Sequence, residues 1–308
     1  MSTTLHGTWF VVPTAFTDEH RIDLDAQRRL VDTVIGWGVD GLTVMGVMSE
    51  VALLTPAERR ALLEAMLDEV AGRVPVVVGC VAGGDVAAAE LAVEAAELGA
   101  VAAMVAPPPM TSNIDGIPAF FASVAERSRT PIVLQDEPRA YGVVMSPRVI
   151  AAACEASGAA AIKLEDPPTP EKIGRLLELV SDVPVFGGLG GVSALWELRR
   201  GASGTMTGFA FPEILAAVRL AHERGDADEA GRVFNRFLPL IQFEAQTGIG
   251  LAIRKEVLRR RGALAGAASR LHPRGIDPRA AQELDDVLRW VGLEPSSARL
   301  RIEEGGVA

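Results

Sequence analysis

Ala159-Ala-Ala-Ile-Lys163-Leu-Glu165-Asp166 is a short apolar run that carries one lysine just before it turns polar. Read as a β-strand, it sends Ile162 and Leu164 to one face and Ala161, Lys163 and Glu165 to the other. The bulky pair suits packing under helices, and the small Ala161 leaves space around the lysine. Burial disfavours an ammonium ion, so a buried lysine is partly the neutral amine that attacks carbonyls and forms Schiff bases. The competing reading is a strand-end lysine that merely pairs with Glu165 or another nearby acid. The surrounding pattern decides between them.

Seven further runs resemble this one. They are Thr8–Val12, Gly41–Met45, Val74–Val78, Ala100–Val105, Pro131–Gln135, Val183–Phe186 and Gly204–Thr207. Between the strands lie longer alanine- and leucine-rich segments with helical periodicity, beginning near Asp25, Pro56, Asp85, Ile114, Pro147, Pro170, Ser193 and Pro212. Pro56, Pro147, Pro170 and Pro212 suit the first turn of a helix. Eight strand-then-helix units with nearly continuous apolar strands predict a parallel sheet buried on both faces. Units of this number and size fit an α/β fold of the closed (β/α)8 TIM barrel type better than an open doubly wound sheet. The barrel is expected over residues 1–225. Residues 226–308 read as a C-terminal helical extension packed on it, ending in a polar tail from Arg301.

Composition narrows the function classes. Hydrophobic residues make up 49% of 308, ample for one large core, and a net charge of −10 gives no electrostatic footprint for nucleic acid. The run Arg259-Arg260-Arg261 is read as a solvated helix face. Cys80 and Cys154 supply neither a disulfide framework nor metal-ligand spacing, and His6, His20, His222 and His272 are scattered. No secretory signal and no apolar run of membrane-spanning length is read, so a soluble cytoplasmic protein with no membrane partner and no metal is expected.

Barrel enzymes carry their chemistry at the carboxyl ends of the strands, which is where Lys163 falls. After the second strand comes Gly46-Val47-Met48-Ser49-Glu50, whose successive amides and Ser49 hydroxyl are candidates for holding a substrate carboxylate; an ordinary turn is the alternative. Gln135-Asp136-Glu137 follows the fifth strand. The loop Gly187-Gly188-Leu189-Gly190-Gly191 lacks the spacing of a dinucleotide fingerprint, so it is either a floor for close substrate approach or a phosphate site.

With Thr14-Ala-Phe16 in the first loop, Gly46 to Glu50, Pro131-Ile-Val-Leu134, Ile162-Lys163 and Gly201-Ala-Ser-Gly204 in this order, the chain resembles the dihydrodipicolinate synthase and N-acetylneuraminate lyase family. The resemblance implies that Lys163 forms an imine with pyruvate or another 2-oxo acid. It also implies that the loop from Gly46 binds the substrate carboxylate, and that the assembly is a homotetramer built as a dimer of dimers. No metal or organic cofactor is then required, because the protonated imine is itself the electron sink.

The departures matter equally. The family's Gly-Thr-Thr-Gly-Glu loop here lacks both hydroxyls, at Val47 and Met48. The catalytic tyrosine that the resemblance places at the end of strand five is Gln135, and an amide orients groups but transfers no proton. The paired tyrosines of the synthases after strand four are Pro108-Pro109, and the synthase arginine aligns with Ala140, one place after Arg139. Tyr141, the chain's single tyrosine, is out of register. A synthase role in lysine formation is therefore not expected. Glu165, Asp136 and Glu137 are the candidate replacements for the tyrosine as proton relay. Thr14, Gly188 and Phe209 complete the expected substrate contacts, and the apolar Val47, Met48, Phe209 and Phe211 suggest a less polyhydroxylated substrate than a sialic acid. Two functions stand: a Schiff-base lyase, aldolase or dehydratase, and a non-catalytic 2-oxo-acid-binding or regulatory relative of the same fold.

Overall fold

The computed structural model describes residues 5–108, 114–303 and 306–307. Its first half runs β1 (Gly7–Val11), α1 (Leu24–Gly36), β2 (Gly41–Val44), α2 (Pro56–Val70), β3 (Val76–Gly79), α3 (Asp85–Glu97), β4 (Ala102–Val105) and α4 (Ile117–Ser128). The second half adds β5 (Ile132–Asp136), a short α5 (Pro138–Tyr141), α6 (Pro147–Ser157), β6 (Ala161–Leu164), α7 (Thr169–Leu177), β7 (Val185–Gly187), α8 (Ala194–Arg199), β8 (Gly204–Thr207) and α9 (Pro212–Glu223). All eight strands are parallel, and β1 pairs with both β2 and β8, which closes the barrel. The helices alternate with the strands, so the fold is a (β/α)8 TIM barrel.

Strand alternation divides the core into two layers. Trp9, Val11, Val77, Met104, Val133, Ala161, Phe186 and Met206 fill the barrel interior. Phe10, Leu42, Val78, Leu134, Ile162 and Leu164, one residue out of phase, pack under the helices. Each such side chain removed fully from water contributes about 1.5–3 kcal/mol. Helix starts follow local chemistry: Thr55 and Glu58 form a reciprocal capping box ahead of Pro56, and Ser146 caps α6 through the Val149 amide.

Three more helices follow: α10 (Ala227–Glu244), α11 (Gly250–Arg260) and α12 (Pro278–Val291). Two short antiparallel strands, β9 (Ile302–Glu303) and β10 (Gly306–Val307), then correct the expectation of helices alone in this region. Pro109, and Glu304 and Gly305 of the tail, lie outside the described residues. No helix among the described residues is long and apolar enough to cross a membrane.

The arginine run is a further correction. Arg261 is buried, not solvated: it forms a fork with both carboxylate oxygens of Glu213 at 2.7 and 3.1 Å and donates to the Ala210 carbonyl at 2.6 Å. Its guanidinium lies 3.5 Å from the centre of the Trp37 ring. Helical rotation separates it from Arg259 and Arg260, which pair with Glu256 nearer the surface. A second buried tie joins the C-terminal segment to the barrel face. Glu50, at the end of the turn after β2, accepts from Lys255 Nζ at 2.5 Å, Ser269 Oγ at 2.9 Å and the Leu271 amide at 2.7 Å. Removing either charge alone strands the other in the interior, at a cost of about 3–5 kcal/mol.

Candidate active site

The sixth strand presents Lys163 to the barrel axis because Ile162 and Leu164 are held by the helical layer. Register pairs Lys163 with Gln135 on β5 and with Phe186 on β7. Lys163 Nζ lies 2.9 Å from Glu165 Oε2, and the same oxygen accepts from Gln135 Nε2 at 2.9 Å. Glu165 Oε1 accepts from the Leu189 amide at 3.3 Å. All three side chains are nearly closed off from solvent, with Lys163 5% and Glu165 7% exposed. An amine, a carboxylate within proton-transfer reach and a fixed amide therefore meet at the carboxyl ends of β5 and β6.

They line a cavity of about 530 Å³, together with Glu137, Val47, Met48 and Met206. Gln135 Oε1 is buried without a hydrogen-bond partner, an acceptor left over for a ligand donor. Burial, reinforced by the Glu165 carboxylate, pushes Glu137 up to about 7 against the opposing charge of Lys163. Glu137 thus exchanges its proton near neutral pH. Burial and the same two carboxylates raise the Tyr141 phenol, which stays protonated. A larger groove, of about 1090 Å³, lies on the C-terminal helices. Its Arg259, Arg260 and Arg261 are already engaged by Glu256, Asp285 and Glu213, and none of the strand-end groups reaches it.

Of the expected residues, the fold brings Lys163, Gln135, Glu165, Val47 and Met48 to this cavity. Gly188 abuts Glu165 so closely that a Cβ there would overlap the carboxylate, which explains the glycine. Thr14 and Ser49 lie beneath the loop rather than in the cavity lining. Thr14 Oγ1 donates to the Ser49 carbonyl at 2.6 Å, and Ser49 Oγ donates to the Val12 carbonyl at 2.7 Å. The Ser49 hydroxyl proton is therefore committed to the scaffold. Gly46 opens the turn, accepting the Ser49 amide at 3.0 Å.

Two expected site residues, Asp136 and Phe209, are corrected. Asp136 shares the outer face of β5, paired in register with Leu164, and its carboxylate meets Lys172 Nζ of α7 at 2.6 Å. Strand parity sends it away from Gln135 and out of the cavity. Phe209 is fully buried and packs beside Phe211 in the helical layer, so neither ring shapes the cavity. Sequence reasoning also missed Arg254 of α11, which enters the cavity from outside the barrel. Its only local signal is a basic residue inside an amphipathic helix, and that signal does not distinguish a pocket from solvent.

The chain contains three lysines: Lys163, Lys172 and Lys255. Lys172 is clamped by Asp136 and Asp166, and Lys255 by Glu50 and the Ala268 carbonyl. Lys163 alone of the three lines the cavity. Among the described residues, no cluster of three or more His, Cys, Asp or Glu side chains is gathered as a metal site requires.

The buried carboxylates give the fold a pH signature. Burial raises Asp136 to about 6 and Glu137, Glu197 and Glu244 to about 7, above the ordinary carboxylate range. Each binds its proton more tightly folded than unfolded, so the stability this confers is complete only below the ordinary carboxylate range, declines progressively as pH rises above it, and is gone once pH passes 6 to 7. Glu58, lowered to about 2 chiefly by its hydrogen bond with Arg270, works the other way but only in stronger acid. The unliganded protein is expected to melt at least about 2 °C higher near pH 5.5 than near pH 8. A melting temperature that is flat or rising across that window, measured by calorimetry, refutes this assignment.

Comparison with known proteins agrees with this geometry. The sequence profile described as the dihydrodipicolinate synthetase family matches residues 4–289. An L-2-keto-3-deoxyarabonate dehydratase of Azospirillum brasilense is 34% identical over 301 residues, 92% of this chain and 96% of that protein. A 4-hydroxy-tetrahydrodipicolinate synthase of Xanthomonas axonopodis pv. citri (strain 306) is 35% identical over 205 residues, 66% of this chain and 67% of that one. The crystal structure of a dihydrodipicolinate synthase from Rhodopseudomonas palustris superposes with a TM-score of 0.89 at 34% identity, covering 94% of this chain and 99% of that one. With a lysine at the sixth strand end of a closed barrel and a family profile spanning nearly its whole length, the chain belongs to the dihydrodipicolinate synthetase family.

Proposed function

We propose that this protein is a Schiff-base lyase that dehydrates a 3-deoxy-2-oxo sugar acid, of which a five-carbon acid is the first candidate. The observation that carries the reading is the contact between Lys163 Nζ and Glu165 at 2.9 Å, braced by Gln135 at the base of the cavity. The near full-length similarity to a 2-keto-3-deoxy acid dehydratase supports the substrate class.

In this reading Glu165 takes the ammonium proton, and the neutral amine attacks the substrate C2 carbonyl. The carbinolamine hydroxyl regains a proton and leaves as water, giving the protonated imine. That cation acidifies the C3 hydrogens, and a carboxylate at Glu165 removes one to form the enamine. Electrons from the enamine then expel the C4 hydroxyl, which takes a proton from Glu137 and leaves as a second water. Water finally hydrolyses the conjugated imine, freeing Lys163 and a product that tautomerises to a dioxo acid. Gln135, in the place where the family pattern has its tyrosine, transfers no proton and positions Glu165 instead. The titration of Glu137 near 7 supports its role as the acid.

Incubation with a five-carbon 3-deoxy-2-oxo acid, followed by mass analysis of products, tests this directly. A product with all five carbons and one water fewer is expected. Pyruvate plus a two-carbon aldehyde indicates aldol cleavage instead, and binding detected by thermal shift without turnover indicates a non-catalytic receptor.

A further inference from the structure

We infer that Arg254, delivered from α11, is the anion-binding group of this site and takes the C1 carboxylate of the 2-oxo acid. The inference deepens the reading above by naming how the acid is recognised, and it can fail independently of that reading.

Arg254 reaches across the cavity between two loops. Its Nη1 lies 3.3 Å from Met48 Sδ, on the turn after β2, and its Nη2 would be 2.6 Å from a Cβ on Gly190, in the loop after β7. Gly190 directly follows Leu189, whose amide holds Glu165. Arg254 and Glu165 thus meet the same short loop after β7, on adjoining residues, and both face the cavity that Lys163 lines.

Its charge is poorly compensated. The Nε has no hydrogen-bond partner, although the side chain is only 12% exposed. The nearest carboxylate, Glu244, stands 3.9 Å away and accepts instead from the Ala210 amide. Burial pushes Glu244 up to about 7, so its negative charge is incomplete near neutral pH. The Met48 thioether is a weak acceptor. A guanidinium remains protonated at any working pH, so this buried cation lacks a full counterion, and its fork matches a carboxylate.

Competing side-chain donors are few: the Ser49 hydroxyl is spent on the Val12 carbonyl, and Val47 and Met48 offer only their backbone amides. Arg139, the other guanidinium on the cavity, lies exposed at its mouth. A guanidinium from a helix outside the barrel thus adds a charged ligand where the β2 loop has no side-chain hydroxyl free.

Borohydride trapping of pyruvate and of its methyl ester on the full chain, read by intact mass, separates the possibilities. The wild type is expected to trap pyruvate at far lower concentration than the ester. Arg254→Gln raises the half-saturating pyruvate concentration about 10- to 100-fold and leaves the ester's nearly unchanged, with Arg254→Lys intermediate. Retained trapping of the ester certifies a folded site. An unchanged preference for pyruvate in Arg254→Gln, or an equal loss for both compounds, overturns the inference. If the wild type traps neither compound, the imine reading fails, and pyruvate-dependent thermal stabilisation becomes the readout. Its loss in Arg254→Gln supports Arg254, while its persistence there, or its absence from the wild type, overturns the role.

Discussion

Lys163→Met is expected to lower turnover by about 10³-fold or more and to abolish the borohydride adduct with 2-oxo acids, while the protein stays folded. Methionine keeps the length of the side chain and removes only the nucleophile. Glu165 retains Gln135 and the Leu189 amide, so the cavity has no reason to collapse. The other two lysines give the experiment a clean background. Each is held in a buried cluster by carboxylates away from the cavity, so a mass adduct on the wild type reports on Lys163. An adduct that persists in the variant locates the chemistry elsewhere and ends the proposal.

Glu165→Gln separates capture of the carbonyl from the steps after it. The amide is nearly isosteric and can still accept from Leu189, but it moves no proton. Turnover is expected to fall about 10²- to 10⁴-fold, the usual worth of a positioned acid–base group. Trapping of pyruvate should persist, with slower onset. A rate equal to the wild type's assigns Glu165 to bracing alone and passes the proton work to Glu137, whose titration near 7 suits it. Loss of trapping together with turnover means that Glu165 is needed to free the amine in the first place.

The barrel was legible because its signals are local and repeated. Eight apolar runs, each followed by a helix that in most cases opens on a proline or a side-chain cap, left little choice of architecture, and the strands begin within two residues of where the pattern puts them. The inward direction of Lys163 and Glu165 followed from strand parity, and the same parity applied to Asp136 would have sent it to the helical layer. Phe209 lies beyond the end of β8, where alternation no longer predicts a direction. The positions of Arg254 and Arg261 depend on α11 docking against residues at least 48 places away, Glu213 for one and Met48 for the other. Helical periodicity marks a basic residue but does not say which remote surface will meet it. The corrections cluster there, among buried charges whose partners are distant in sequence.

Arg254 and Lys255 are adjacent in sequence yet face opposite duties: one enters the cavity, and the other fastens the turn that bounds it. In the proposed mechanism the barrel strands supply the lysine and its proton carriers, and a helix some ninety positions later in the chain supplies the guanidinium for the acid. On this reading part of the choice of substrate is carried on a stretch of the chain separate from the chemistry. A lineage that exchanges residues along α11 would then change which acid it accepts without touching the proposed nucleophile.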